Sequence, residues 1–100
     1  MTPSEVSAEA LEAHLSAHPA WSFVDGKLHR ELRFPSFIEA FGFMTRAALV
    51  AQSMDHHPEW SNVHGTVVID LTTHSAGGIT ENDLELSNAL DELAGKGSVS

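Results

Sequence analysis

The chain is 100 residues long, 42% hydrophobic and 19% charged, with a formal charge of −9 and no cysteine. That length holds one domain with one core, and the composition is that of a soluble globular chain, not a disordered one. So few Lys and Arg argue against binding a phosphate backbone, and the lack of cysteine removes disulfides, thiolate nucleophiles and thiolate-ligated zinc while fitting a reducing compartment.

At the N-terminus, Met1-Thr2-Pro3-Ser4-Glu5 has no basic segment leading into an apolar one, so it does not read as a signal peptide. No apolar run approaches the ~20 residues that span a bilayer. A cytoplasmic protein with no membrane association is expected. Ser7 is placed to cap a helix over residues 8–18, with Leu11 and Leu15 on its buried side and Glu9 and Glu12 near its positive end. Pro19 ends it, and His14 and His18 read as part of a solvated face. Two strand-like runs, residues 21–24 and 27–34, then flank Asp25-Gly26, a dipeptide suited to a two-residue turn with positive φ. In the second run Leu28, Leu32 and Phe34 share one parity, and Arg30 interrupts it; a strand end or a bulge would each explain the break.

Ser36 and Glu39 stand in capping-box spacing at the start of the longest predicted helix, which runs to Met54. Its stripe of Phe37, Phe41, Met44, Ala48 and Ala51, with Ile38 and Leu49 beside it, reads as core packing. Pro58 requires the helix to end near His56. Trp60–Val63 forms a short predicted strand, His64-Gly65 a tight turn, and residues 66–73 the strongest strand of the chain. Val67, Ile69 and Leu71 line one face of that strand; Val68, Asp70, Thr72 and, at its end, His74 line the other. After the loop Ser75–Gly78, Thr80 and Asp83 open a last helix in capping-box spacing. Leu84, Leu86, Leu90 and Leu93 are its apolar residues, Gly95 and Gly97 its end, and residues 98–100 a frayed tail. The order α-β-β-α-β-β-α, with short turns between strands, predicts a single domain over residues 1–100. Its class is α+β: a four-stranded antiparallel sheet with three helices packed on one face.

The concentrated chemistry lies in Met54-Asp55-His56-His57-Pro58-Glu59-Trp60, answered by Thr72-Thr73-His74. Continuing as helix, His56 and His57 would diverge by about 100°; at a helix end the chain turns and both rings can face one cavity. Adjacent histidines have neither the i, i+4 nor the i, i+2 spacing usual for a metal site, though a chain reversal with His74, Asp55, Glu59 or His64 as third ligand would allow one. Loop histidines with local hydrogen bonds are a second reading. The third is acid–base chemistry on a flat ligand, with Trp60 offering apolar surface or anchoring the core. There is no cysteine and no Gly-x-Ser-x-Gly elbow, so a covalent intermediate is not indicated.

The run Ala40–Leu49, the run Met54–Val63, Leu71–His74 and Gly78–Asp83 together resemble the pterin-4a-carbinolamine dehydratases, also known as the dimerisation cofactor of a homeodomain transcription factor. The similarity covers nearly the whole chain, and His-His-Pro-Glu-Trp-x-Asn-Val is its most specific stretch. It implies the α+β sandwich already read from the element order. It implies a homodimer or homotetramer and a pterin substrate, with neither metal nor other cofactor. The activity implied is dehydration of 4a-hydroxytetrahydropterin to quinonoid dihydropterin, returning the pterin spent by aromatic amino acid hydroxylases. The family's catalytic histidines fall on His56, His57 and His74, and its substrate-site tryptophan and aspartate on Trp60 and Asp83. Many members carry Glu-Lys where this chain has Gln52-Ser53, and His64 takes no role from the resemblance. The competing expectation is a partner-binding or regulatory module of the same fold with a weak or vestigial site.

Overall fold

The computed structural model describes residues 3–95. Its elements are α1 (Ala8–Ala17), β1 (Ser22–Val24), β2 (Lys27–Arg33), α2 (Phe37–Met54), β3 (Glu59–Val63), β4 (Thr66–Leu71), a 3-10 turn (His74–Ala76) and α3 (Glu81–Ala94). The strands form one antiparallel sheet in the order β1-β2-β4-β3. This is the α-β-β-α-β-β-α sandwich that the sequence predicts. Gly97 and residues 98–100, expected above as helix end and frayed tail, lie outside the described residues.

Local chemistry accounts for the boundaries. Ser7 accepts the Ala10 amide and Ser36 the Glu39 amide, so both helices begin with a side-chain cap. Asp25 and Gly26 both take positive φ, 52° and 80°, as the tight β1–β2 turn requires. At Gly65, in the β3–β4 turn, a Cβ would stand 2.3 Å from the Phe34 carbonyl oxygen, so no larger residue fits against that backbone.

One face of the sheet is covered. Leu28 and Leu32 of β2 and Val67, Ile69 and Leu71 of β4 are fully buried with Leu86 and Leu90 of α3. Arg30 does not break β2: the β2–β4 register runs without interruption from Leu28 to Arg33. Neither a strand end nor a bulge is present there. The guanidinium stays on the covered face because Asp91 of α3 receives it, together with the Trp21 indole N–H at 2.8 Å. A buried cation is tolerated when it is paired in this way.

Two expectations need correcting. The buried residues of α2 are Ala40, Phe43, Ala47 and Ala51. Phe37, Ile38, Phe41 and Leu49 are 49%, 81%, 52% and 70% exposed. The helix is apolar around most of its circumference, so periodicity alone cannot select the inward stripe. Three alanines allow close approach, and Phe43, stacked obliquely on Phe34 at 5.2 Å, fills the space between. His14 also departs from its solvated assignment. It is buried, its Nε2 lies 2.9 Å from Ser87 Oγ, and its ring stacks on His18 at 4.1 Å. Burial first, and the neighbouring His18 second, hold its pKa below the ordinary 6.5. Among the described residues, no helix is long and apolar enough to cross a membrane.

Candidate active site

α2 ends in a left-handed residue, Asp55, at φ 51° and ψ 41°. The Asp55 amide donates to the Gln52 carbonyl and the His56 amide to the Ala51 carbonyl, each at 3.1 Å. This closure turns the chain sharply and delivers His56 and His57 to one cleft. The opposite wall comes from the end of β4. That strand stops at Leu71, and His74 begins the 3-10 turn instead of extending the strand, so strand alternation does not place it. A bridge between Thr73 and Gly78 fixes the base of the turn. The resulting open cleft, about 350 Å³, is lined by Asp55, His56, His57, Thr72, Thr73 and His74, with Ser75 at its edge. Two other cavities of about 380 and 290 Å³ are lined without any histidine.

Each imidazole is held through Nε2 by a different partner. His56 Nε2 lies 2.5 Å from Asp83 Oδ1. The other Asp83 oxygen accepts the Thr73 hydroxyl at 2.8 Å and the Thr80 amide at 2.9 Å. That amide bond is half of the capping box that starts α3. His56 Nε2, the Thr73 hydroxyl and the Thr80 amide thus converge on the two oxygens of one buried side chain. His57 Nε2 lies 2.9 Å from Gln52 Oε1, one turn back on α2. His74 Nε2 lies 2.8 Å from Glu59 Oε2, and Lys27 Nζ holds Oε1 of the same carboxylate at 2.5 Å. Hydrogen bonds from Lys27 and then His74 hold the Glu59 carboxyl below the usual carboxylate range, and Glu59 in turn raises the Lys27 ammonium. Among the described residues, no three His, Cys, Asp or Glu side chains form a group able to hold a metal ion.

The three histidines therefore share a cleft, with His56 buried and His57 and His74 exposed. Asp83 is 0% exposed and lies behind His56, with its own surface closed off and its contact to the cleft made through that ring. Trp60 sits on β3 opposite Ile69, half-buried against the core, and is not among the residues lining the cleft. Sequence reasoning missed Thr73 and Lys27. Thr73 shares the parity of buried Leu71 and was legible on that ground; Lys27 stands 32 residues from Glu59 and carries no local signal.

An antiparallel α+β sandwich with a histidine cleft at the end of its sheet is the class that fold and site define. The family model described as pterin 4 alpha carbinolamine dehydratase matches residues 4–93. A protein of Solibacter usitatus, named for pterin-4-alpha-carbinolamine dehydratase, is 54% identical over 91% of this chain and 96% of its own. One of Prochlorococcus marinus with the same name is 50% identical over 93% and 97%. A Brucella melitensis crystal structure titled transcriptional coactivator/pterin dehydratase superposes with a TM-score of 0.88 at 38% identity, covering 92% of this chain and all of that one. The chain belongs to the pterin-4a-carbinolamine dehydratase family.

Proposed function

We propose that the protein dehydrates 4a-hydroxytetrahydropterin to quinonoid dihydropterin, and that it serves tetrahydropterin recycling after aromatic amino acid hydroxylation. The observation that carries this reading is the convergence of three separately tethered imidazoles on one open cleft. Loss of water from C4a needs an acid at the departing hydroxyl and a base at N5–H. The C4a–O bond breaks as the acid's proton goes to oxygen, the N5–H pair forms the C4a–N5 double bond, and the base keeps the N5 proton. The catalyst gives one proton and takes one, so no nucleophile, metal or other cofactor enters the balance. His57 and His74, exposed in the cleft, are the groups that exchange protons with substrate. His56, tied to buried Asp83, orients the ring or its partner, and Trp60 supports β3 beside the site. Such proton transfer contributes about 10²–10⁴-fold. The test is stopped-flow absorbance of freshly generated carbinolamine with and without protein. Acceleration is expected; a folded wild type that matches the spontaneous rate overturns the reading.

The exposed Phe37, Ile38, Phe41 and Leu49 on α2 support a homodimer or homotetramer, since apolar rows of this kind cover one another in symmetric assemblies. If the cleft proves inactive, that same face favours a partner-binding role.

A further inference from the structure

The two walls of the cleft come from different parts of the chain: His56 and His57 from the end of α2, His74 from the turn after β4. Thr73, next to His74, donates its hydroxyl proton to Asp83 Oδ2 at 2.8 Å, while Asp83 Oδ1 faces His56 Nε2 at 2.5 Å. A second hydroxyl stands behind this link, with Thr80 Oγ1 2.8 Å from Thr73 Oγ1. A hydroxyl has one proton, and that of Thr73 goes to Asp83, so Thr80 is the donor between the two threonines. We propose that Thr80 is a positioning residue for the dehydration: its hydroxyl aims the Thr73 hydroxyl at Asp83, and this chain sets how far the His74 wall stands from the His56 wall. The proposal rests on the dehydratase reading for its catalytic meaning, but not for the geometry it assigns.

Thr73, Thr80 and Asp83 are 7%, 0% and 0% exposed. Water therefore does not compete for these bonds, and a donor removed from the chain has no replacement. Thr80 is enclosed and is not among the residues lining the cleft, so any effect it has on substrate passes through other side chains. Its own place is well fixed. Its amide donates to Asp83 Oδ2 at 2.9 Å, its Oγ1 accepts the Asn82 amide at 3.3 Å, and its backbone forms a bridge with Glu5. Thr73 closes the base of the turn, its amide donating to the Gly78 carbonyl at 3.0 Å. The turn that carries His74 and the first turn of α3 are thus joined at Thr73 and Thr80, and His56 is attached to that unit at Asp83. Valine at position 80 keeps the branched shape but withdraws the donor, which leaves the Thr73 hydroxyl free to turn away from Asp83. The competing explanation for any effect at Thr80 is its role as N-cap of α3. Ser7 does the same for α1, accepting the Ala10 amide at 3.0 Å, and it lines no part of the cleft.

The experiment measures kcat and KM by stopped-flow for Thr80→Ser, Thr80→Val and Ser7→Ala beside wild type, at a temperature where all are folded, and records their amide NMR spectra. Thr80→Ser retains both donor and cap and is expected to keep most of the wild-type rate. Thr80→Val is expected to lose about tenfold in kcat with little change in KM, because a misplacement on the order of 1 Å costs catalysis more than binding. Ser7→Ala loses a cap of the same kind and should keep the wild-type kcat. The amide signals of His56, His57 and His74 should shift together in Thr80→Val and return in Thr80→Ser. If Thr80→Val does not fold, Thr80→Ala removes the same donor without added bulk and carries the same expectations. A wild-type kcat in Thr80→Val, or an equal loss in Thr80→Ser, overturns the proposal. An equal loss in Ser7→Ala, or amide shifts confined to the first turn of α3, reduces Thr80 to a helix cap and also overturns it. A wild type without acceleration overturns the dehydratase reading instead, and the joint shift at His56 and His74 still decides whether Thr80 holds the two walls together.

Discussion

His56, His57 and His74 differ more in what lies behind them than in what lies before them. His57 and His74 are exposed and backed by exposed partners, so on the proposed mechanism truncating either removes a proton-transfer group and little else. His57→Ala or His74→Ala is expected to cost roughly 10²-fold in kcat by stopped-flow with an almost unchanged melting temperature. His56→Ala leaves buried Asp83 Oδ1 without its donor, and an orphaned buried acceptor costs about 1–3 kcal/mol. Its expected profile is the reverse: a smaller loss of rate and a lower denaturation midpoint. A His56→Ala protein as stable as wild type would contradict the buried network. His14 gives the pH dependence its clearest sign. Its folded pKa is depressed from 6.5, so between that value and its folded pKa the unfolded chain binds more protons, and stability falls with falling pH. In urea titrations at pH 7.5 and 5.5, His14→Gln, which can still reach Ser87, should lose less stability than wild type on acidification. Equal losses would remove His14 as the cause.

Among the elements, β3 and α2 tie the site to the core. Trp60 packs half-buried from β3, so Trp60→Ala should cost roughly 2 kcal/mol, short of the ~3–5 kcal/mol of a fully buried tryptophan. Trp60→Phe should keep most activity. An unchanged melting point in Trp60→Ala would show that the indole does not support the sheet. α2 also shows where sequence reading stops. Its start at Ser36 and its end before Pro58 were legible because caps and prolines act locally. Its inward stripe was not, because Phe37, Phe41, Ala40 and Phe43 are all apolar and only packing against the sheet and α3 decides among them. Arg30 was equally opaque: its partner Asp91 lies 61 residues away. For the cleft, the helix end implied that His56 and His57 would meet, whereas the three distinct partners of the histidines required tertiary structure.

For the whole molecule, the exposed apolar face of α2 stands out on a chain carrying a charge of −9. Net repulsion keeps such chains apart, so the proposed association needs a specific apolar contact, and this face is the candidate for it. Sedimentation at micromolar concentration is expected to give at least about twice the 10.8 kDa chain mass. Phe41→Glu should reduce it to that of one chain, and a wild type that sediments as a monomer would rule the assembly out. The order of elements and the antiparallel sheet were legible because every strand connection is either a tight turn or a helix. The capping box at Thr80 and Asp83 carries a different implication. Helix ends ordinarily fray and re-form within the native state without consequence. Here the carboxylate that closes the first turn of α3 is the one that grips His56. A momentary unwinding of that turn therefore releases the ring, so amide exchange at Thr80 serves as a clock for how long the cleft stays assembled.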